Sequence, residues 1–100
     1  MKAKGGYLYI ESNFSRSTLY TGVTANLSVR SHQHKTGEGS KFTSKYKCVD
    51  LVYYEFFESI EEAILREKQI KKWKREWKIR LIKEMNPNFM DLYDEVADMN

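Results

Sequence analysis

A single cysteine is all the chain offers for sulfur chemistry, which excludes an internal disulfide and leaves no Cys-rich metal cluster to weigh. Cys48 opens an apolar run and reads as a small buried residue rather than a nucleophile. Long hydrophobic runs are missing too; none approaches the ~18 residues that a membrane span requires. The start, Met1-Lys2-Ala3-Lys4-Gly5-Gly6, is basic with no apolar stretch behind it. It is unlike a secretory signal, so a cytoplasmic protein with no membrane partner is expected. There is no internal repeat and no low-complexity segment. One charge sign is absent locally: residues 84–100 hold five acids and no Lys or Arg.

What remains is the composition of one domain, 100 residues with 41% hydrophobic and 14% aromatic side chains, enough for a modest core without a staple. Residues 1–83 carry all 17 basic residues against 9 of the 14 acidic ones. A basic body with an acidic tail suits a polyanion, most simply nucleic acid, although charge alone leaves a plainly solvated surface open as well.

Two short stretches read as strands of one hairpin, Tyr7-Leu8-Tyr9-Ile10 and Leu19-Tyr20-Thr21-Gly22-Val23. A period of two puts Tyr7, Tyr9, Tyr20 and Gly22 on one face and Leu8, Ile10, Leu19, Thr21 and Val23 on the other. One reading of the phenolic face is ordinary strand chemistry, with cross-strand aromatics and a glycine at a bulge. The other is a shallow site lined by hydroxyls, where Gly22 lets a substrate backbone come close. The polar segment between the strands, residues 11–18, is a hairpin loop with no assigned chemistry.

After Val23, Thr24-Ala25-Asn26 offers helix caps, and a helix is expected to run until Lys35-Thr36-Gly37. Counting from Leu27 at helical spacing gives Arg30, Ser31 and His34, so a guanidinium and an imidazole share one stripe. Arginine is a permanent forked donor for phosphate oxygens, and histidine exchanges a proton near neutrality. Both could instead be solvated surface groups, or His34 could merely cap the helix end, and His32 competes with His34. Residues 36–47 read as a loop. Counting Lys35 just before it, the stretch has four lysines, Lys35, Lys41, Lys45 and Lys47; with Phe42 and Tyr46 they could hold a phosphate backbone and stack a base. Lys35, Lys41, Lys45 and Tyr46 are the candidate contacts there, with Lys71 further on.

Cys48 to Phe57 is the strongest strand, apolar at both parities and therefore expected to be packed between helices. Ser59-Ile60-Glu61-Glu62 is a capping-box pattern that starts a helix. Its stripe from Ile60 through Ala63 and Ile64 reaches Glu67, a carboxylate that needs either a cation or a partner such as Arg30. A divalent metal would take such an oxygen together with water. Residues 68–83 carry eight basic residues. A continuous helix through them would outrun a small domain, so a break near Trp73-Lys74-Arg75 is expected. Trp73 and Trp77 fit the apolar face as core. Asn86-Pro87 reads as a cap opening a short acidic helix through Met90, Leu92, Tyr93 and Val96.

The ordered set of Tyr7-Leu8-Tyr9, Tyr20-Thr21-Gly22, Asn26-Leu27 with Arg30 and His34, and Ala63-Ile64-Leu65-Arg66-Glu67 strongly resembles the GIY-YIG nuclease superfamily. It is most similar to the small stand-alone UPF0213, or YhbQ-like, group. Tyr7 stands where the first motif has glycine, and Val23 where some members have lysine; Asn86 is the candidate for a late asparagine. The resemblance implies an α+β fold, a three-stranded antiparallel β-sheet flanked by helices, over residues 6–83, with 84–100 as an acidic helical extension. It also implies a metal-dependent endonuclease whose candidate catalytic residues are Tyr9, Tyr20, Arg30, His34 and Glu67. Glu67 would bind one Mg²⁺ or Mn²⁺, and Arg30 would neutralise phosphoryl charge. Tyr20, assisted by His34, would activate the water that Tyr9 orients. A phenol is a poor base unless nearby cations lower its pKa or His34 takes the proton instead. DNA, whether single-stranded, branched or duplex, is the expected partner ahead of RNA, for a monomer. The alternative is a catalytically weak or inactive nucleic-acid-binding module of the same fold.

Overall fold

The first strand, β1 (Gly6–Ser12), has six of its seven residues buried because it lies in the middle of the sheet. It pairs antiparallel with β2 (Leu19–Thr24) on one side and with β3 (Asp50–Phe57) on the other. The computed structural model describes residues 5–99; the basic start at Met1–Lys4 and Asn100 lie outside the described residues. Tyr9 faces Gly22 across one ladder and Tyr54 across the other, while Ile10 faces Thr21 and Tyr53. The aliphatic and phenolic faces therefore fall where the alternation puts them. Leu8 and Ile10 join Val52, Tyr53, Ile70 and Ile82 in one core cluster. Tyr9 joins Leu27, Leu51, Leu92 and Val96 in the other.

β3 is the third strand and meets the helix Leu27–Lys35 on one face and the helices Ile60–Lys71 and Arg75–Met85 on the other. It is an edge strand, buried on both faces at Leu51, Val52 and Tyr53 as its apolar run leads one to expect, while Phe56 near its end is exposed. A bulge where the β1–β3 register shifts between Ile10 and Glu11 explains why apolar residues occur at both parities. Leu51 and Tyr54 fall on the phenolic side, while Val52 and Tyr53 both enter the aliphatic cluster, because an extra residue reverses the alternation.

Helix α1 (Leu27–Lys35) starts where Asn26 accepts a hydrogen bond from the Val29 amide, and it ends at Thr36 just before Gly37, whose φ is +84°. Its buried residues are Leu27, Ser31 and His34. Residues 41–45, read as loop, form a short helix α2 (Lys41–Lys45), since Ser40 and Thr43 cap each other reciprocally. Helix α3 (Ile60–Lys71) is capped by Ser59, and α4 (Arg75–Met85) follows after the expected break. Ile70 of α3 and Ile82 of α4 seal the aliphatic face. No helix among the described residues is long and apolar enough to cross a membrane.

Two expectations for the tail are corrected. Asn86 is the C-cap of α4, not the start of a new helix. Its side-chain amide donates to the carbonyls of Val52 and Met90 and accepts from the Met90 amide. The last helix, α5 (Tyr93–Val96), is only one turn long, and Met90 and Leu92 lie before it. The tail is nonetheless part of the core: Leu92 and Val96 cover the phenolic cluster, and the Leu92 amide donates to the Leu51 carbonyl.

Candidate active site

On the phenolic face Tyr9, Arg30 and His34 converge. The phenol of Tyr9 is 1% exposed, held under α1 by the strand pairing around it. Its hydroxyl lies 2.9 Å from His34 Nε2 and 3.3 Å from Arg30 Nε. Arg30 and His34 reach the same oxygen because they are one helical turn apart on α1. A Cβ at Gly22 would sit 2.5 Å from the Tyr9 hydroxyl. The bare glycine thus admits the protein's own tyrosine, not a substrate backbone.

The directions of these hydrogen bonds follow by elimination. Arginine can only donate, so the Tyr9 oxygen accepts from Arg30; because Thr43 gives its hydroxyl proton to the Ser40 carbonyl it can accept from His34 Nδ1–H, which leaves Nε2 bare to take the Tyr9 proton. Burial first, and then the charge of Arg30, lower the His34 pKa to about 4, so the ring is neutral at pH 7. With Nε2 accepting, the proton sits on Nδ1, which lies 3.1 Å from Thr43 Oγ1. Thr43 in turn donates to the Ser40 carbonyl at 3.2 Å. One chain of donors therefore runs Arg30, Tyr9, His34, Thr43, Ser40. Burial pushes the Tyr9 phenol up to about 12 despite the Arg30 hydrogen bond, and that same bond raises the Arg30 pKa.

Sequence reasoning missed Thr43 and Gly39. A Cβ on Gly39 would overlap the His34 ring, so α2 can close on His34 only over a glycine. The signal was Ser40-x-x-Thr43, a capping pattern lacking the usual acid. Glu11 was missed as well. It is fully buried on the phenolic face opposite Tyr20, with neither carboxylate oxygen partnered among the described residues. Burial first, and then Asp91, push its pKa up to about 9.

Tyr20 is half-buried, its ring centroid 5.8 Å from His34 and 6.4 Å from Tyr9. The imidazole was expected to serve Tyr20; its hydrogen bond goes to Tyr9. An aromatic run leads outward from Tyr20 to Phe42 at 5.7 Å and on to Tyr46 at 4.7 Å. Phe42 and Tyr46 are each 43% exposed, and the Lys45 ammonium lies 5.4 Å over the Tyr46 ring. Lys41 and Lys45 line an open cleft of about 470 Å³ at the start of α2. Lys35 is not a free surface cation, because its ammonium is tied to Asp50 and Asp91.

Glu67 differs from expectation in partner and setting. It is neither paired with Arg30 nor sunk in the core: its side chain is 21% exposed and meets Lys71 at 3.0 Å. Arg30 instead bonds Gln33 besides Tyr9. Lys71 is thereby an ion-pair partner as well as a surface cation. No group of three or more His, Cys, Asp or Glu side chains that could hold a metal occurs among the described residues. The residues fit only a hard divalent cation taking one carboxylate and several waters, a shell Mg²⁺ commonly accepts.

This geometry can be set beside known proteins. The family model described as the GIY-YIG catalytic domain matches residues 5–80. The UPF0213 proteins of Staphylococcus aureus strains Mu3, Mu50 and MW2 are each 43% identical over 70 residues, covering 70% of this chain and 85% of each relative. No solved structure matches. The match takes in all three strands and the helices bearing Arg30, His34 and Glu67, so the chain belongs to the GIY-YIG catalytic domain family, a nuclease superfamily, within its UPF0213 group.

Proposed function

We propose that the protein is an endonuclease that hydrolyses phosphodiester bonds in DNA with one bound divalent cation, Mg²⁺ or Mn²⁺. The observation that carries the reading is the directional chain from Arg30 through Tyr9 and His34 to Thr43. A buried phenol at about 12 cannot by itself act as a base, but a neutral imidazole behind it can take its proton. In the proposed step, water attacks phosphorus and gives a proton to Tyr9, as Tyr9 passes its own to His34 Nε2. The phosphorus–O3′ bond breaks, and the 3′ oxygen takes a proton from solvent. Burial is the larger cause of the low His34 pKa and the charge of Arg30 the smaller; a bound phosphodiester brings negative charge beside Arg30 and offsets that smaller part. Arg30 stabilises charge on the phosphoryl oxygens, which preorganised donors do for several kcal/mol, roughly, in a dry site. Tyr20 holds the attacking water. The cation, carried by Glu67, would supply Lewis-acid stabilisation of the phosphate. Phe42, Tyr46, Lys41 and Lys45 extend the site as a stacking and phosphate-holding arm.

The second reading, a weak or inactive binding module, is favoured by the Lys71–Glu67 ion pair, which already balances the carboxylate. Incubating purified protein with labelled single-stranded, duplex and branched DNA in Mg²⁺ or Mn²⁺ separates the two. Cutting is expected in wild type and absent in Glu67→Gln, with binding largely kept. Full cutting by that variant would sink the metal assignment; binding without cutting by both proteins would favour the module.

A further inference from the structure

Among the described residues a second aromatic surface lies on the other side of the molecule, and the proposed chemistry does not use it. Trp73, in the turn just before α4, and Trp77, Arg80, Leu81 and Glu84 on α4 line a cleft of about 200 Å³. Trp73 packs against the aliphatic core cluster, which fixes it. Trp77 was expected in the core beside it, yet it is 45% exposed. Its ring stands edge-on to Trp73, with centroids 6.3 Å apart and planes at 75°, so a rigid neighbour holds the exposed indole in place.

The surroundings are cationic and largely unneutralised. The Lys74 ammonium lies 5.8 Å from the Trp77 ring. Lys78 has its pKa lowered by burial first and then by the charges of Arg75 and Lys71. Lys72, Lys74, Arg75, Lys78, Arg80 and Lys83 make no ion pair with any acid among the described residues, and Lys71 pairs only with Glu67. Glu84 is the one acid lining the cleft. Crowded cations without anions raise each other's energy, and a bound polyanion relieves that. A fixed, exposed indole among them offers a face on which any base can stack, provided that the base is not already stacked in a duplex.

We infer that the Trp73–Trp77 face of α4 is a second nucleic-acid surface that holds a single-stranded segment, with a base on Trp77 and phosphates on Lys74, Lys78 and Arg80. This rests on the nucleic-acid reading of the phenolic face but is tested by binding alone. Trp73 and Trp77 are the chain's two tryptophans, so indole fluorescence reports this surface and nothing else. The experiment titrates the full chain, without divalent metal, with short oligothymidine and with a duplex of equal length. Expected are saturable quenching by the single strand and affinity lowered roughly 5- to 150-fold in Trp77→Ala, the equivalent of ~1–3 kcal/mol per stacked base. Trp77→Phe should retain part of it. Lys74→Gln with Lys78→Gln should lower the salt slope, by about 0.7 for each phosphate no longer neutralised. Circular dichroism confirms that each variant folds, as substitution of an exposed side chain should permit. Wild-type affinity in Trp77→Ala, no fluorescence change at saturation, or equal Trp77-dependent binding of duplex would overturn the inference. So would Trp77-dependent self-association in place of nucleic-acid binding. Trp77-dependent binding by a protein that cuts no DNA once Mg²⁺ or Mn²⁺ is added would sink the nuclease reading and leave this one standing; metal-dependent cutting together with wild-type single-strand affinity in Trp77→Ala would do the reverse.

Discussion

Glu11 shows how much one side chain can hold in reserve. The strand period puts it on the phenolic face, where it is fully buried between Tyr20 and Leu51 without a hydrogen-bond partner among the described residues. An unfolded glutamate ionises near ~4.3, whereas burial holds the folded one up to about 9. The folded state therefore keeps a proton that the unfolded state has released, and stability is lost as pH rises between those values. Glu11→Met, of similar shape and without charge, should stabilise the fold by about 1–3 kcal/mol at pH 8. That gain should shrink toward pH 4, as urea unfolding across the range would register. A variant less stable than wild type at pH 8 would mean that Glu11 has a partner worth more than its desolvation. His34 runs the opposite way: its depressed pKa gives stability present above pH ~6.5 and lost as pH falls through about 4.

Among the elements, α2 is the one whose existence depends most on its ends. Five residues cannot hold a helix in water by themselves. What keeps α2 formed is the reciprocal cap of Ser40 and Thr43 and the lodging of Thr43 against His34. Thr43 thus serves two elements, closing one helix and setting the tautomer of a ring on another. Thr43→Val removes the acceptor for His34 Nδ1–H at nearly constant volume. We expect about 1 kcal/mol less stability and cleavage at least ten-fold slower, with substrate affinity little altered. Nitrogen NMR should find the Nδ1–H tautomer of His34 in wild type and in Thr43→Ser, and a mixture in Thr43→Val. An unchanged tautomer in the valine variant would remove Thr43 from the donor chain.

At the scale of the whole molecule, the acidic tail closes the fold. Leu92 and Val96 cap the phenolic cluster from outside α1, Asn86 ties α4 to β3, and Asp91 accepts from the Leu51 amide and from Lys35. Burying two such aliphatic side chains contributes about 1.5–3 kcal/mol each, a large part of the 5–15 kcal/mol, roughly, that a domain has in total. Ending the chain after Met85 should therefore abolish cooperative thermal unfolding. A truncated protein melting within a few degrees of the full chain would show that the tail is an accessory.

Some of this is legible in the residues alone. The alternation of Tyr7 to Ile10 and of Leu19 to Val23 determined two faces of a sheet, since strand period is a local property of the backbone. The spacing of Arg30 and His34 determined that they share a helical stripe, and the order of motifs determined the family. What only the tertiary structure decided is who meets whom. Tyr9, not Tyr20, receives His34, because the ladder sets Tyr9 over Gly22 at the sheet's centre. Lys35 is tied up by Asp50 and Asp91, which are distant in sequence. The Glu67–Lys71 pair is a contact four residues apart within α3 that the helical period already encodes; what packing decided is that Arg30 bonds Tyr9 and Gln33 instead of Glu67. Helical and strand periods fix directions within an element; register, bulges and helix placement depend on long-range packing, and those choose the partners.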